Sequence, residues 1–477
     1  MRASGQLFVL FIAALANIAY AAPPLRVQHF DADPNWDANN NRPRERPGKE
    51  TIQNFGYSTT SHVNDEPGEI GGPLQTAAER AYYAMPLDKV LTFNDHMRVS
   101  GKVRMPEKGD HGLVLFGFFN AGNSIGWRNR NSMMMRLDAR GDSLNAHVEF
   151  CTDRWRAGAG LIGHLTPEER MVLIPISEEG VHTFSLDYDP AGTGTITFTF
   201  DNEKAVVPLS EGFRADNAFF DRVGMMNIQK SSDDNVSFYF DEIEINGEKQ
   251  DFKNDPRWEG IGNRTTFYTT IVRPWFDFGY SPTNFAGGKT GELGGVIFRG
   301  DSRYPTTMGY YGDRVGPLST KLPLEVNGRI SMVRGVTDSG AMLGWFNSKS
   351  SMEIGEGKVM IPKDFMGVMI EAPSRDGFFL RPVYRMHGDT YGVEVGPFIY
   401  PDGAQHHWSL TYKPGADAAS PGTMTVVLDE NQATLEVPAE ALAEGATFDR
   451  FGIVTTTIDG NMVVVYFDDL AYTAEQE

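Results

Sequence analysis

Apolar and polar residues alternate with a period of two over many short stretches of this chain. The clearest stretches are Thr195–Phe200, His182–Tyr188 and 406–412. This period is typical of β-strands that bury one face. Turn sequences such as Asp-Pro-Ala-Gly at 189–192 separate the stretches, and helical periodicity is scarce. The pattern therefore predicts an all-β protein built from many short strands.

The same pattern, with the same short motifs, occurs twice along the chain. The motifs, with the first residue of each copy, are Asp-Pro-x-Trp (33 and 255), Gly-Tyr-Ser (56 and 279), Gly-Glu-x-Gly-Gly (68 and 291), Phe-Asp-Arg (220 and 448) and Tyr-Phe-Asp (239 and 466). Their order is preserved, which indicates a tandem duplication. We expect repeats at 33–254 and 255–477, preceded by an N-terminal segment at 22–32. Repeats of this length suit two antiparallel β-sandwich domains of jelly-roll type.

The first 21 residues have the form of a secretory signal peptide. Arg2 precedes an apolar run over 7–16, and Ala19-Tyr20-Ala21 has the small-x-small pattern of a cleavage site. The run is shorter than the roughly 20 residues needed to span a bilayer. We therefore expect a chain without a membrane span that is secreted to the periplasm, the cell surface or the medium.

Composition excludes several functions. A net charge of −20 argues against nucleic acid as a partner. The single cysteine, Cys151, excludes intramolecular disulfides and is expected to be a buried, inert thiol. The chain lacks a nucleotide-binding loop, the zinc motif HExxH, a CxxC pair and the Gly-x-Ser-x-Gly nucleophile elbow. No cofactor is therefore required by any motif.

Three motifs give each repeat a resemblance to a known superfamily. They are Phe-x-x-Asp-Pro-x-Trp at 30–36, His-x-[Phe/Trp]-Ser-Leu-x-Tyr at 182–188 and 406–412, and the closing Tyr-Phe-Asp-[Glu/Asp]. Each repeat resembles the concanavalin A-like lectin and glucanase superfamily, in its laminin-G-like branch. The Gly-Tyr-Ser and Gly-Glu-x-Gly-Gly motifs also resemble those of an uncharacterised group of secreted bacterial proteins. The superfamily resemblance implies that a carbohydrate binds on the concave sheet or its rim.

Acidic residues recur at equivalent places in both repeats. Glu69 and Glu292 lie among glycines, where each carboxylate can approach a ligand or accept N–H bonds from its own loop, and the second alternative is favoured. Arg42 and Arg264 are the expected ion-pair partners of these glutamates. Acids of the closing strands, together with acids of the N-terminal motifs, are candidate calcium ligands: Asp33, Asp241, Asp255 and Asp468. Because calcium takes six to eight oxygens, calcium stays an open alternative.

Residues that differ between the repeats are the better candidates for chemistry. Two polar clusters lie on expected middle strands, near 136–155 and 371–387. The candidate catalytic residues are Glu149, Asp138, Glu371 and Tyr384, and the candidate substrate-binding residues are Arg136, His147, Trp127, Trp155, Trp275, Arg381, Arg385 and His387. Carboxylate pairs suit a glycosidase, whereas Tyr and His with Arg suit a lyase acting on a uronate.

These observations indicate a secreted carbohydrate-active protein whose partner is a polysaccharide or glycan. A polysaccharide-degrading enzyme is the leading hypothesis, with a glycoside hydrolase ahead of a lyase. The alternatives are a non-catalytic glycan-binding or cell-surface adhesion protein and a structural envelope protein. The sugar, its linkage, the half that holds the site and the oligomeric state stay open at this stage.

Overall fold

The computed structural model describes residues 24–45, 48–126, 128–162, 174–176, 180–230, 235–273, 276–299, 308–353, 359–372, 376–458 and 460–475. Within them the chain is almost entirely β-structure, as the alternating pattern predicts. Helical structure is confined to α1 (Phe213–Asp216), a 3-10 turn at Ser350–Met352 and α2 (Ala439–Glu444) among the described residues.

The strands of the first half follow one another in chain order. They are β1 (Leu25–Gln28), β2 (Asp37–Asn39), β3 (Lys49–Asn54), β4 (Gly56–Ser58), β5 (Glu69–Gln75), β6 (Tyr82–Thr92), β7 (Met97–Arg104), β8 (Gly109–Phe119), β9 (Ser132–Gly141), β10 (Ser143–Cys151), β11 (Ala157–Leu161), β12 (Ile174–Pro175), β13 (Val181–Asp189), β14 (Thr195–Phe200), β15 (Glu203–Pro208), β16 (Phe219–Met226), β17 (Asn235–Ile245) and β18 (Glu248–Lys249).

The second half continues the series. Its strands are β19 (Glu259–Ile261), β20 (Arg264–Thr269), β21 (Asp277–Ser281), β22 (Glu292–Phe298), β23 (Tyr310–Ser319), β24 (Leu324–Gly335), β25 (Ser339–Phe346), β26 (Phe365–Ala372), β27 (Phe379–Arg385), β28 (Tyr391–Val393), β29 (Gln405–Lys413), β30 (Gly422–Leu428), β31 (Asn431–Val437), β32 (Thr447–Val454) and β33 (Met462–Thr473).

Four large antiparallel sheets form two sandwiches. In the first sandwich, sheet I has the order β15-β14-β13-β7-β17-β5-β4 and sheet II has the order β11-β10-β9-β8-β16-β6-β19. In the second, sheet III has the order β31-β30-β29-β24-β33-β22-β21 and sheet IV has the order β28-β27-β26-β25-β32-β23-β2. Along these orders sheets I and III match strand for strand, as do sheets II and IV. In addition, β1 pairs with β33, β18 pairs with β17 and β12 pairs with β10.

The sequence repeats and the sandwiches do not share boundaries. Strands β1 and β2, from the N-terminal segment and the start of the first repeat, pair with β33 and β23 of the second sandwich, while β19 pairs with β6 of the first. Trp36 accordingly packs on Tyr311, and Trp258 packs on Tyr83. Each Asp-Pro-x-Trp motif therefore completes the other half's sandwich. A separate two-stranded sheet, β3 with β20, adds a further link between the halves.

Each sandwich buries one large apolar core between its sheets. On β9 the residues Met133, Met135 and Leu137 belong to the core of the first sandwich. The intervening residues Arg136 and Asp138 therefore lie on the opposite, outer face of sheet II, because side chains alternate along a strand. This outer face holds the candidate site.

Candidate functional site

The polar residues near 136–149 come together on the outer face of β9 and β10. The two strands pair so that Arg136 lies opposite His147 and Asp138 lies opposite Asn145. Glu149 follows two residues after His147 on the same face. The sequence-based prediction of one cluster in this region therefore agrees with the register. The charged members Arg136, Asp138 and Glu149 are all buried.

Guanidinium groups engage both carboxylates of this cluster. Glu149 lies 2.9 Å from Nη1 of Arg136 and 3.4 Å from Nε of Arg128. Asp138 lies 2.7 Å from Nη2 of Arg140. A buried carboxylate needs such partners, because an isolated charge away from water is costly. The cluster is thus a network of three arginines and two acids on an otherwise strongly acidic protein.

His147 is held neutral inside this network. Burial is the main cause that lowers the pKa of His147 to about 3, and the nearby charges of Arg136, Arg128 and Arg140 lower it further. Its Nε2 atom is shielded from solvent and has no hydrogen-bond partner among the described residues. The ring therefore presents a nitrogen whose hydrogen-bonding capacity is unused.

Asn145 is a member of this cluster that sequence reasoning missed. Its Oδ1 atom is also buried without a hydrogen-bond partner in the described part of the chain. Buried polar atoms are usually paired, and these two lie side by side on one face of β10, although other described residues, such as His406 with its Nε2, also hold unpaired atoms. Arg128 and Arg140 were missed as well. Only the pairing of β9 with β10, and the approach of the 120–131 loop, bring these residues to His147.

The corresponding place in the second half is largely apolar. Strand order and register place Met369 and Val383 on sheet IV where sheet II has Arg136 and Glu149. These residues join Met342, Phe346 and Ile361 in an apolar cluster. Charged groups remain there too, since Arg381 pairs with Glu371 and the buried Arg385 pairs with Asp389. Glu371 and Arg381 therefore lie together, as predicted, but they form an ion pair with each other.

Two other predicted residues of the second half have structural positions. Tyr384 is only 2% exposed and belongs to the core between the sheets, so the catalytic role predicted for it does not fit. Arg385 is buried and donates to the carbonyl of Ile361 at 2.8 Å and to Asp389 at 2.7 Å. Because Tyr384 and Arg385 are adjacent on a strand, their side chains point to opposite faces.

His387 lies apart from both clusters, on the surface. Its Nδ1 atom is 2.9 Å from Oδ2 of Asp364, a contact that raises the pKa of His387. The predicted grouping of His387 with Tyr384 in one site is therefore not formed.

The predicted tryptophan platforms have different outcomes. Trp127 and Trp275 lie outside the described residues. Trp155 is half-buried, with the guanidinium of Arg130 4.3 Å from its ring centroid and Tyr400 of the second half stacked at 5.4 Å. Arg130 and Tyr400 therefore pack against the ring of Trp155. The ring lies at the junction between the sandwiches.

The four predicted calcium ligands do not form one cluster. Asp33 accepts a hydrogen bond of 2.7 Å from the hydroxyl of Tyr311, and Asp255 accepts one of 3.1 Å from Tyr83. Asp241 and Asp468 are buried on the closing strands. Among the described residues no group of three His, Cys, Asp or Glu side chains could hold a metal ion.

The recurring glutamates bind their own loops, as favoured from sequence. Glu69 accepts bonds from the backbone N–H groups of His62 and Val63 and from the hydroxyl of Thr60. Glu292 accepts the corresponding bonds from Phe285, Ala286 and Thr283. The predicted pairing with arginine is wrong, because Arg42 bonds to Asp277 and Tyr280, and Arg264 bonds to the carbonyl of Tyr57.

Comparison with known proteins gives only architectural likeness. No family model and no curated protein matches the chain. Among solved structures, mouse laminin α1 domains LG4-5 are 13% identical over 85% of this chain and 92% of that one, with a TM-score of 0.24. An alginate lyase from Pseudomonas aeruginosa is 9% identical over 43% and 99%, with a TM-score of 0.24. An endo-β-1,4-glucuronan lyase from Trichoderma reesei is 12% identical over 47% and 95%, with a TM-score of 0.21. We draw no functional conclusion from scores this low.

The described residues also bear on the membrane. None of their helices combines the length and the apolar character needed to cross a bilayer.

Proposed function

We propose that the first sandwich binds an anionic, uronate-containing polysaccharide on the outer face of sheet II and cleaves it by β-elimination. The observation that carries this proposal is the pair of unpaired buried atoms, Nε2 of His147 and Oδ1 of Asn145, beside the guanidinium of Arg136. A proton acceptor next to cations is the arrangement that elimination from a uronate needs.

The arginines supply the recognition of charge. Guanidinium groups bind carboxylates through short, charge-assisted hydrogen bonds. Arg140 is exposed at the end of β9, whereas Arg136 is buried. We therefore expect a uronate to enter at the Arg140 end of the cluster and to approach Arg136 and Asn145 as the groups that shield Nε2 move aside.

His147 is the expected base of the reaction. Nε2 takes the proton from the carbon next to the carboxylate, the bond from the neighbouring carbon to the glycosidic oxygen breaks, and a double bond forms between the two ring carbons. The leaving oxygen takes a proton from water, and Nε2 of His147 gives the proton that it took to solvent. Burial is the main cause that lowers the pKa of His147, and the charges of three arginines lower it further, so a bound carboxylate that offsets those charges reverses the smaller part of the shift.

The alternative of a glycoside hydrolase is less well supported by this geometry. A glycosidase uses two carboxyl groups, one of which gives a proton to the leaving oxygen. Glu149 and Asp138 are instead each engaged by guanidinium groups. The lyase, which the sequence placed second, is therefore the hypothesis that we advance.

A non-catalytic glycan-binding protein is the second candidate. The observation that favours it is the shielding of Nε2 of His147 from solvent. In that case the arginines bind the anionic chain and no proton moves.

The test is a polysaccharide panel that covers polyuronates and neutral glucans. Absorbance at 235 nm reports the double bond of elimination, and reducing ends report either reaction. We expect a 235-nm signal on a polyuronate that His147→Gln reduces by at least about a hundredfold. The matched control is His182→Gln, a histidine of sheet I paired with Asp201.

The outcomes separate the candidates. Reducing ends on a neutral glucan without 235-nm absorbance would contradict the lyase and favour a hydrolase. Retention on a polyuronate gel with no cleavage would favour the binding protein. A 235-nm activity equal in His147→Gln and the protein itself would remove His147 from the mechanism.

Export of the chain and its origin by duplication, both expected from the sequence, are proposals as well. We propose that the chain is exported and that its halves descend from a tandem duplication. The signal-like residues 1–21 support export, and the matched strand orders support duplication. Mass spectrometry of the protein recovered outside the cytoplasm tests the first, with Ala22 expected as the new N-terminus.

A further inference from the structure

Two segments of the chain make the same contacts, one with each sandwich. We call them the first docking segment (residues 25–42), which lies on the second sandwich, and the second docking segment (residues 248–264), which lies on the first. In each, a tryptophan packs on a tyrosine, an aspartate accepts from the hydroxyl of that tyrosine, and an asparagine and an arginine donate to backbone carbonyls. In the first docking segment these residues are Asp33, Trp36, Asn41 and Arg42, with Tyr311, Phe278 and Tyr280 as partners. In the second they are Asp255, Trp258, Asn263 and Arg264, with Tyr83, Phe55 and Tyr57 as partners. The two sandwiches therefore offer equivalent acceptor sites for one type of segment.

The second docking segment reaches its acceptor site through a hairpin. Strand β17 ends at Ile245, a turn at Asn246 and Gly247 follows, and β18 returns beside β17 with Lys249 opposite Glu244. Both turn residues have a positive φ, +50° and +90°, as the tight turn of a two-residue hairpin requires. The strand that precedes this segment therefore places it on its own sandwich.

The first docking segment reaches its acceptor site from a remote part of the chain. Strand β1 takes the place beside β33 that β18 takes beside β17, with Val27 opposite Ala471. His29 lies 2.8 Å from Asp469, which is 440 residues further along the chain. The covalent connection between this segment and its acceptor site therefore runs through the whole first sandwich, where the other segment has a two-residue turn.

The ion pairs of the first docking segment join it to the second sandwich. Arg26 lies 2.6 Å from Asp313, and Asp37 lies 2.8 Å from Arg314 and 2.6 Å from Arg450. These pairs, like the β1–β33 and β2–β23 pairings, involve the segment on one side and the second sandwich on the other. They therefore form equally well when the segment comes from another copy of the chain. Exchange of an identical element between copies is for this reason a low-cost route to a dimer.

The order of the elements along the chain favours exchange of this segment over the other. Residues 25–42 precede both sandwiches, whereas β33, which lies against β1, follows all the other strands. A segment that has to wait for a distant partner during folding is exposed to pairing with neighbouring chains. The second docking segment follows β17 directly, so its acceptor site is within reach as soon as β17 has folded.

We propose that the first docking segment is exchanged between two copies of this chain, so that residues 25–42 of each copy complete the second sandwich of the other. The partner is a second copy because the acceptor site matches the tryptophan, asparagine and arginine of this chain's own motif. Within one chain the segment competes at an effective concentration of the order of millimolar, so the dimer forms as the protein concentration approaches that range. The second docking segment stays in place, because its hairpin turn is too short to reach another copy. The proposal is independent of the proposed reaction.

The experiment places one cysteine in each of two full-length chains, Val27→Cys in the first and Ala471→Cys in the second. These residues lie opposite each other on β1 and β33, at a separation that suits a disulfide. The chains, one of them labelled with ¹⁵N, are mixed at rising concentration, incubated and oxidised, and mass spectrometry measures the mixed disulfide dimer. The native thiol of Cys151 is buried and does not compete. The matched control is the pair Glu244→Cys and Lys249→Cys, which are opposite each other at the equivalent place in the first sandwich.

We expect at least about fivefold more mixed dimer from the Val27 and Ala471 pair than from the control pair near millimolar concentration, and a smaller difference on dilution. Equal yields from the two pairs would overturn the exchange. A single chain that carries both Val27→Cys and Ala471→Cys checks the geometry, since it should close its own disulfide when dilute. Failure of that chain to close would contradict the β1–β33 pairing and would overturn the proposal as well. Thermal unfolding checks that the variants are folded, which we expect because Val27 is 56% exposed.

Discussion

The outer faces of sheets II and IV occupy the same place in two matched sandwiches but have opposite character. Sheet II carries Arg136, His147 and Glu149 in a buried polar network, whereas sheet IV carries Met369, Arg381 and Val383 at the corresponding positions. The face of sheet IV packs its apolar side chains against Ile361, although Nε of Arg381 and Nε of Arg385 are buried there without a hydrogen-bond partner in the described part of the chain. The polar version leaves two atoms of β10 without partners. The two faces therefore differ in composition, because the first is mainly polar while the second surrounds its charged pairs with apolar side chains.

The loops that cover these two faces also differ, since one adds an apolar side chain and the other adds a charged one. Both begin alike, because the backbone N–H of Asn120 donates to Ser124 and that of Asn347 donates to Ser351. The loop of the second half is longer, and it places Ile361 against sheet IV. The loop of the first half is shorter and brings Arg128 to Glu149. One loop thus completes a core, and the other adds a charge to the cluster.

The largest expected effect comes from breaking the buried ion pair of the first half. Glu149→Val introduces the residue of the second half and leaves Arg136 and Arg128 without their carboxylate. We expect a loss of about 3 to 5 kcal/mol in the free energy of unfolding, because an uncompensated buried charge is costly. Arg136→Met together with Glu149→Val should recover at least half of that loss. Urea unfolding measures both, and a double variant no better than the single one would contradict the comparison.

A smaller effect is expected from the pH dependence of stability. The pKa of His147 is about 3 in the native state, against an ordinary value of 6.5. Between these values the unfolded chain binds the extra proton, so this histidine makes stability fall as pH decreases below 6.5. From pH 7 to pH 5 the contribution is about 2 kcal/mol.

His147→Gln should remove that contribution and flatten the pH profile. His182→Gln is the matched exchange on sheet I, and it reports the effect of replacing a histidine that lies outside the cluster. Unfolding by urea at the two pH values provides the measurement. Equal slopes for the protein and His147→Gln would show that folding does not change the pKa of His147, and the electrostatic description of the cluster would fail.

A third effect concerns an acid at the end of sheet III. Burial, with the charges of Asp469 and Glu292, raises the pKa of Asp468 to about 6. The native state therefore binds this proton more tightly than the unfolded chain, and stability falls as pH rises from 4 to 6. Asp468→Asn should remove a loss of about 3 kcal/mol at pH 7. Asp241→Asn in the first half should act in the same direction, since burial raises that pKa too. Lower stability of Asp468→Asn at pH 7 would count against this description.

Much of this architecture could be predicted from local sequence patterns. Alternation over 182–188 and 195–200 predicts β13 and β14, and the Gly-Glu-x-Gly-Gly motif led to the loop bonds of Glu69 and Glu292. Such features depend on residues close in sequence, where turn chemistry and the strand period decide the outcome.

The errors and omissions arise from strand parity and long-range pairing. Tyr384 and Arg385 were assigned to one cluster, although adjacent strand residues must point to opposite faces. Asn145 was missed because its importance depends on lying opposite Asp138 on β9. The exchange of β2 and β19 between sandwiches could not be predicted, since identical motifs fit either sandwich equally well.

The most direct test of the central claim is the activity of the double variant Arg136→Met with Glu149→Val, which gives sheet II the residues of sheet IV. It is measured at 235 nm on the polyuronate that the panel identifies, beside the control pair His182→Gln and His406→Gln on sheets I and III. We predict a folded double variant with activity reduced at least about a hundredfold, and control variants as active as the protein itself. A folded double variant that retains full activity would contradict the assignment of function to the first sandwich's polar face.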